Sequence, residues 1–170
     1  MYKRQVFNIS DVEETGKDFE ENAILKAKNA FTKTNISSVG DDSGLIVPAI
    51  NNEPGLYSAR YAGLNATDSD NRNKLISKLK DNKLESTYAY FFCCIVAVGI
   101  KGQNEIIVCS GKVEGEVRTI ERGEKGFGYD PMFYPKGYSE SFAELNSLEK
   151  NKISHRGQAL KKLMDKLNKT

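Results

Sequence analysis

Apolar and polar residues alternate along this chain in blocks whose period shifts between two and about three and a half, and each shift marks an element. Gln5-Val6-Phe7-Asn8-Ile9 alternates like a short strand. From Phe19 the apolar positions fall at helical spacing, and Ala23, Ala27 and Ala30, flanked by Ile24 and Phe31, predict an inner face reaching about Thr34. Asp18-Phe19-Glu20-Glu21 supplies the start, with a capping side chain and a glutamate three residues on. Ser37 to Asp42 reads as a strand ending in a turn at Asp41-Asp42-Ser43-Gly44, then a loop through Asn52-Glu53-Pro54-Gly55. Thr67 caps a second predicted helix, which ends near Asp81-Asn82 and turns Leu75, Ile76 and Leu79 inward.

The middle of the chain is β. Tyr88 to Gly99 is rich in aromatic and β-branched residues and reads as a strand buried on both faces. Lys101-Gly102-Gln103-Asn104 is a turn into a strand from Glu105 to Ser110, and Lys112 to Ile120 forms a third strand. Arg122-Gly123 to Gly128 is a glycine-rich loop, and Ser141 to Lys150 a short helix with Ser141 and Glu144 as its capping box. Ser154 caps the last helix, whose apolar stripe is Leu160, Leu163, Met164 and Leu167. Helices around a β-rich centre, with no repeat or linker, predict one α/β domain over residues 1–170, with α+β as the neighbouring class.

Composition narrows the classes. The 39% hydrophobic and 28% charged content of these 170 residues is that of a globular domain and not of a disordered one. A net charge of +2 gives no footprint for a nucleic-acid partner, so any functional positive charge must be local. The longest apolar run, Ala89 to Ile100, is strand-sized, so no membrane partner is expected. Met1 to Gln5 carries two basic residues with no apolar stretch behind them, so no signal peptide is expected. Cys93, Cys94 and Cys109 are odd in number and two are adjacent, which suits buried thiols in a reducing compartment, the cytoplasm by default, better than a disulfide framework. One histidine in the sequence argues against a His/Cys metal site.

Three short stretches carry candidate chemistry. Ser154 puts His155 and Arg156 in the first turn of a helix, where unpaired N–H groups and the macrodipole favour an anion or a polar ring. Lys150 is near enough in sequence for all three cations to converge on one anion; the alternative is a solvated Lys150 and Arg156 with a partly buried His155. Asp41 and Asp42 point to opposite faces of a strand, and Asp42 is the better placed for a hard cation such as Mg²⁺, against an ordinary Asp-Ser-Gly turn. In Gly126-Phe127-Gly128-Tyr129-Asp130-Pro131, glycines allow close approach, Phe127 offers a stacking face and Asp130 an acceptor, against a tight turn with core aromatics.

Taken together these blocks resemble the inosine triphosphate pyrophosphatase family of non-canonical purine nucleoside triphosphate pyrophosphatases. The resemblance runs through Glu14-Thr15-Gly16, Phe19-Glu20-Glu21-Asn22-Ala23 with Leu25-Lys26-Ala27, Asp41-Asp42-Ser43-Gly44-Leu45 and Pro54-Gly55-Leu56-Tyr57-Ser58-Ala59-Arg60-Tyr61-Ala62-Gly63. It continues through Gly126-Phe127-Gly128-Tyr129-Asp130-Pro131-Met132-Phe133, Lys150 and Ile153-Ser154-His155-Arg156-Gly157, in family order over nearly the whole chain. It implies an elongated mixed sheet flanked by helices, two lobes around a nucleotide groove, and a homodimer. It also implies Mg²⁺-dependent hydrolysis of ITP, dITP and XTP to monophosphate and pyrophosphate. Carried over, Asp42 activates the attacking water and holds metal, with Glu14 as second metal carboxylate and Glu21 in reserve. Ser43 and Lys150 contact substrate, Phe127, Gly128, Tyr129 and Asp130 hold base and ribose, and His155 and Arg156 meet the 6-oxo purine edge.

The resemblance further implies an opening strand, a Thr/Ser-x-Asn-x-x-Lys loop gripping the triphosphate, and a helix, and no Asn-x-x-Lys run precedes Glu14 in this sequence. The expectation is an N-terminally shortened chain, from a start placed downstream or a natural short form, with its first strand and helix missing and turnover strongly reduced. The competing expectation is a non-catalytic nucleotide-binding or dimerisation module, and a weaker one is a Mg²⁺ phosphohydrolase for another phosphate ester.

Overall fold

Aromatic and β-branched side chains run along both faces of Ser86–Val98, and a segment apolar on both faces must be covered on both. In the computed structural model, which describes residues 4–10, 12–100 and 106–169, this segment is the central strand, β3. Strand β1 (Ser38–Val47) pairs with one edge of it, from Ser38 opposite Val98 to Ile46 opposite Tyr90. Strand β4 (Ile107–Arg118) pairs with the other edge, from Ile107 opposite Ala97 to Arg118 opposite Ser86. Short strands β2 (Glu53–Pro54) and β5 (Phe133–Pro135) complete the order β2-β1-β3-β4-β5. Every pairing among the described residues is antiparallel, where the resemblance implied a mixed sheet.

Helix α1 (Phe19–Thr34) lays Ala23 and Ala27 against Cys94, Val96 and Val98 on one face of the sheet. Helix α4 (His155–Lys169) lays Ala159 and Leu163 against Cys93, Ile95, Ala97 and Cys109 on the other. At the far end of the sheet, Leu45, Phe91, Val113 and Val117 join Leu75 and Leu79 of helix α2 (Asp68–Asp81) with Phe133 and Phe142. Helix α3 (Ser147–Ile153) is separated from α4 by Ser154 alone. The caps at Asp18, Thr67 and Ser154 are formed: Asp18 accepts from Glu21 N, Thr67 from Asp70 N, and Ser154 from Gly157 N. All three cysteines are buried free thiols.

Several local expectations are corrected. Residues 5–9 form no strand; Arg4–Phe7 is a 3-10 turn, since an alternation this short needs a sheet neighbour and the sheet is completed without it. Strand β1 does not end at Asp42 but runs on to Val47, so the two aspartates sit in mid-strand. The predicted strands at 105–110 and 112–120 are one strand running through Gly111, while the turn expected at Lys101-Gly102-Gln103-Asn104 lies outside the described residues. Gly44 and Gly111 read as punctuation but serve close approach: a Cβ on Gly44 would collide with the Gly55 carbonyl, and one on Gly111 with the His155 carbonyl. Ser141 to Leu145 is a turn, with the Ser141 hydroxyl donating to Arg122 O, and the helix begins at Ser147 behind an Asn146 cap. On α4, Leu163 is buried as expected whereas Leu160 and Met164 are exposed, because Gly111 and Ala159 let the helix sit on its narrow side.

Candidate active site

The site is in two parts, one on each face of β1. Strand alternation points Asp42 towards α1 and Asp41 towards α4. On the α1 side, Lys26 Nζ lies 2.6 Å from Asp42 Oδ1 and 2.7 Å from Glu14 Oε1, so one ammonium bridges two carboxylates brought from a strand and a loop. Arg60 pairs with the other oxygen of Glu14, and Asn22 Nδ2 donates to Asp42 Oδ2 at 3.2 Å. Asp42 is 8% exposed, and that burial pushes its carboxyl up against the opposing pull of Lys26 and Asn22. Glu14 is also pushed up by burial, but hydrogen bonds from Lys26 and Arg60 outweigh this and hold it below the usual carboxylate range. Burial works against the Lys26 charge while its bonds to Asp42 and Glu14 favour it, and the balance raises its pKa, so the ammonium is retained. A cleft of about 380 Å³, lined by Glu14, Lys26, Asn29, Gly40 and Asp41 among others, opens beside the cluster.

Glu21 takes no part in it. Its carboxylate is exposed and accepts from Lys17 N, closing the first turn of α1. Sequence reading assigned no role to Lys26, Asn22 or Arg60. The available signal was Asn22 and Lys26 standing four apart beside Ala23 and Ala27, a polar break in the inner face of α1.

On the α4 side, Arg156 donates to Asp41 Oδ2 from Nε at 2.9 Å, with its Nη2 2.7 Å from the same oxygen in an ion pair and 3.5 Å from Ser43 Oγ. Lys150 Nζ lies 2.5 Å from Asp130 Oδ2 and 4.8 Å from the centre of the Phe127 ring, and the Arg156 guanidinium carbon lies 5.8 Å from the same ring. Phe127 is 61% exposed between these cations. The loop that presents it is pinned at three points: Asp130 Oδ2 accepts from Phe127 N at 2.7 Å, Gly128 N donates to Asp68 Oδ2 at 2.7 Å, and Arg72 donates to Gly128 O at 2.9 Å. Gly126 and Gly128 take φ of 81° and 59°, which suits glycine. A second cleft of about 440 Å³ runs from Gly126 and Phe127 to Lys150 and Asn151.

Lys150, His155 and Arg156 do gather, although Lys150 and Arg156 each already hold a carboxylate. His155 is 7% exposed and stacks on Phe91 with ring centres 4.7 Å apart and planes 10° from parallel. Burial first, then the Arg156 and Lys150 charges, push its pKa down to about 3, so the imidazole is neutral. Its buried Nδ1 has no hydrogen-bond partner among the described residues. Tyr129 differs from the expectation of a ligand contact: its ring is in the core and its hydroxyl donates to Ser58 O at 2.9 Å.

Carboxylates bridged by an ammonium in one cleft, and an exposed ring between two cations in another, suit an enzyme that handles an anion bearing a flat ring. Comparison with known proteins agrees. The chain belongs to the Ham1 family, which its residues 2–166 match. It is 46% identical over 160 residues to the dITP/XTP pyrophosphatase of Bacillus anthracis, covering 94% of this chain and 79% of that protein. Against the dITP/XTP pyrophosphatase of Idiomarina loihiensis it is 46% identical over 163 residues, 96% of this chain and 81% of that protein. The solved HAM1 protein of Coxiella burnetii superposes with a TM-score of 0.90 at 42% identity, covering 98% of this chain and 85% of that one. The Ham1 protein of Staphylococcus aureus gives 0.85 at 44% identity, with 96% and 83% covered.

Proposed function

We propose that this protein hydrolyses non-canonical purine nucleoside triphosphates, ITP, dITP and XTP, to the monophosphate and pyrophosphate. The observation that carries the reading is Lys26 bridging Glu14 and Asp42 beside a cleft that Lys26 and Glu14 line, in a chain whose curated relatives are dITP/XTP pyrophosphatases. Asp42 is the general base. It takes a proton from water as the water oxygen attacks the α-phosphorus, and the bond to the bridging oxygen breaks to release pyrophosphate. Burial that raises its basicity favours that role near neutral pH. Lys26 and Arg60 offset charge on the phosphoryl oxygens.

Glu14 and Asp42 also fit a divalent cation. Both present hard oxygen donors from separate segments to one point now marked by the Lys26 ammonium, and Mg²⁺ is commonly held by one or two carboxylates with the rest supplied by water and phosphate. Among the described residues no set of three or more His, Cys, Asp or Glu is placed to hold a metal ion without other donors. When bound there, Mg²⁺ supplies neutralisation of charge on the transferring phosphoryl group.

At the other end, Phe127 stacks on the base, Arg156 and His155 meet its 6-oxo edge, and Ser43 and Lys150 contact the substrate. Gly128 and Asp130 shape the loop around base and ribose, with Tyr129 as its anchor. A pocket that hydrogen-bonds a 6-oxo group leaves its own polar atoms unpaired against adenine, which discriminates against ATP. The reading extends to a homodimer and to a cytoplasmic setting; three buried free thiols suit a reducing compartment.

The test is pyrophosphate release from ITP with Mg²⁺. Asp42→Asn is expected to lower turnover by about 10²–10⁴-fold with folding retained. Hydrolysis undiminished in that variant removes the base assignment. Binding of ITP and IMP by the native chain without pyrophosphate release would favour the non-catalytic module instead.

A further inference from the structure

Asn22 is 1% exposed, and both ends of its amide are used. Its Oδ1 accepts from Gly16 N at 2.8 Å and its Nδ2 donates to Asp42 Oδ2 at 3.2 Å. Gly16 closes the loop that carries Glu14, two residues away, while Asp42 stands on β1. One side chain on α1 therefore ties together the two segments that supply the carboxylates. The backbone at Gly16 lies so close to α1 that an added Cβ would come within 2.6 Å of Asn22 Oδ1 and 2.8 Å of Asn22 N. The loop is seated on the first turn of the helix.

The bonds at Asp42 divide its two oxygens. Lys26 takes Oδ1 at 2.6 Å and Asn22 takes Oδ2 at 3.2 Å. A carboxylate held by one partner can still turn about its Cβ–Cγ bond; held by two on different oxygens, its plane is set. The Lys26 bond is shared with Glu14 and lies on the side where phosphate or a cation would compete for it. The Asn22 bond is neutral, buried and four residues away on the same helix, out of that competition. It is the contact that can keep the carboxylate in one orientation when the ammonium shifts partner.

We propose that Asn22 is a positioning residue for hydrolysis: its amide fixes the plane of the Asp42 carboxylate and, through Gly16, the distance of the Glu14 loop from it. The assignment rests on Asp42 being the base. Its effect falls on the reacting geometry and not on the far end of the nucleotide, where Phe127, His155 and Arg156 lie. Small displacements of a reacting group are costly in rate, about 10²-fold for 1 Å.

The experiment uses two variants of the full chain. Asn22→Asp keeps an acceptor for Gly16 N but has no amide to donate to Asp42; Asn22→Ala loses both contacts. The readouts are kcat and KM for ITP with Mg²⁺, the affinity for IMP, and the melting temperature. Asn22→Asp is expected to lower kcat by about 10–100-fold, with KM and IMP affinity within about threefold and a melting temperature well above that of the assay. Asn22→Ala, which removes the donor without setting a second carboxylate beside Asp42, is expected to lose at least as much kcat; should it fail to fold, Asn22→Ser, small and uncharged, takes its place with the same expectation. A kcat within threefold of the native value in Asn22→Asp overturns the proposal. So does a loss shared by kcat, KM and IMP affinity, or one accounted for by unfolding at the assay temperature, since a purely structural asparagine gives that pattern. Asp42→Asn run in parallel separates the two readings: active Asp42→Asn removes the base assignment and this proposal with it, whereas inactive Asp42→Asn beside active Asn22→Asp removes this proposal alone.

Discussion

His155 weighs against stability and, on the function proposed above, serves recognition. Its ring stacks on Phe91 in the core, yet its Nδ1 is buried with no partner among the described residues, a loss of hydrogen bonding that a stability-driven sequence would avoid. Burial and the neighbouring Arg156 and Lys150 charges push its folded pKa down to about 3, from the 6.5 of an unhindered imidazole. Between those values the unfolded chain holds a proton that the folded chain does not. The contribution to stability is therefore complete above pH 6.5 and is lost as pH falls through the window, by up to about 1.4 kcal/mol per pH unit. His155→Phe keeps the stack, removes the unpaired nitrogen and abolishes this titration. Urea unfolding at pH 7.5, 6 and 5 should show the native chain losing stability relative to the variant as pH falls. Parallel losses in the two proteins would show that the imidazole does not titrate across folding. The variant should equal or exceed the native chain in stability at pH 7.5 while binding IMP more weakly.

At the scale of elements, periodicity and caps were legible and long-range approach was not. Helices α1 and α2 and the buried β3 follow from spacing and from Asp18 and Thr67, because those signals act within a few residues. Glycine inside a strand is ambiguous when read alone: Gly44 and Gly111 look like turn residues, and only the neighbour across the fold, the Gly55 carbonyl or the backbone of α4, shows that they are contact points. The same limit hid the Lys26 cluster, whose members come from a loop, a helix and a strand. Ser141 shows local chemistry outvoted, since its hydroxyl is drawn to Arg122 O and the capping pattern closes a turn instead of starting a helix. Gly111 gives the sharpest test. A methyl group there meets the carbonyl of His155 and, at 2.8 Å, the amide of Ala159. Gly111→Ala should lift the start of α4 from the sheet, costing about 1–3 kcal/mol in urea unfolding. Because that end of α4 carries His155 and Arg156, KM for ITP should rise as well. An unchanged KM with full stability would mean that the helix does not need its close seat.

Over the whole molecule, the sheet divides the site as well as the core. Glu14, Lys26 and Asp42 stand with α1 on one face, and Arg156 and His155 with α4 on the other, with Phe127 and Lys150 beside them. Strand β1 joins the two halves, since Asp41 and Asp42 are neighbours in sequence and face opposite ways. A nucleoside triphosphate that reaches both halves must present its phosphates to one and its base to the other, so each half should recognise its own fragment of the substrate. A ligand at a hundred times its Kd adds about 2.7 kcal/mol to the folded state, and a chain of this size gains about 2–4 °C in Tm per kcal/mol. IMP and pyrophosphate, each at saturation with Mg²⁺, should therefore both raise the Tm. Arg156→Ala should abolish the shift with IMP and keep most of that with pyrophosphate, while Lys26→Met should do the reverse. If either substitution removes both shifts equally, the halves act as one pocket. If neither removes any, these cations do not hold the nucleotide, and the charge that binds it must be sought elsewhere along the two clefts.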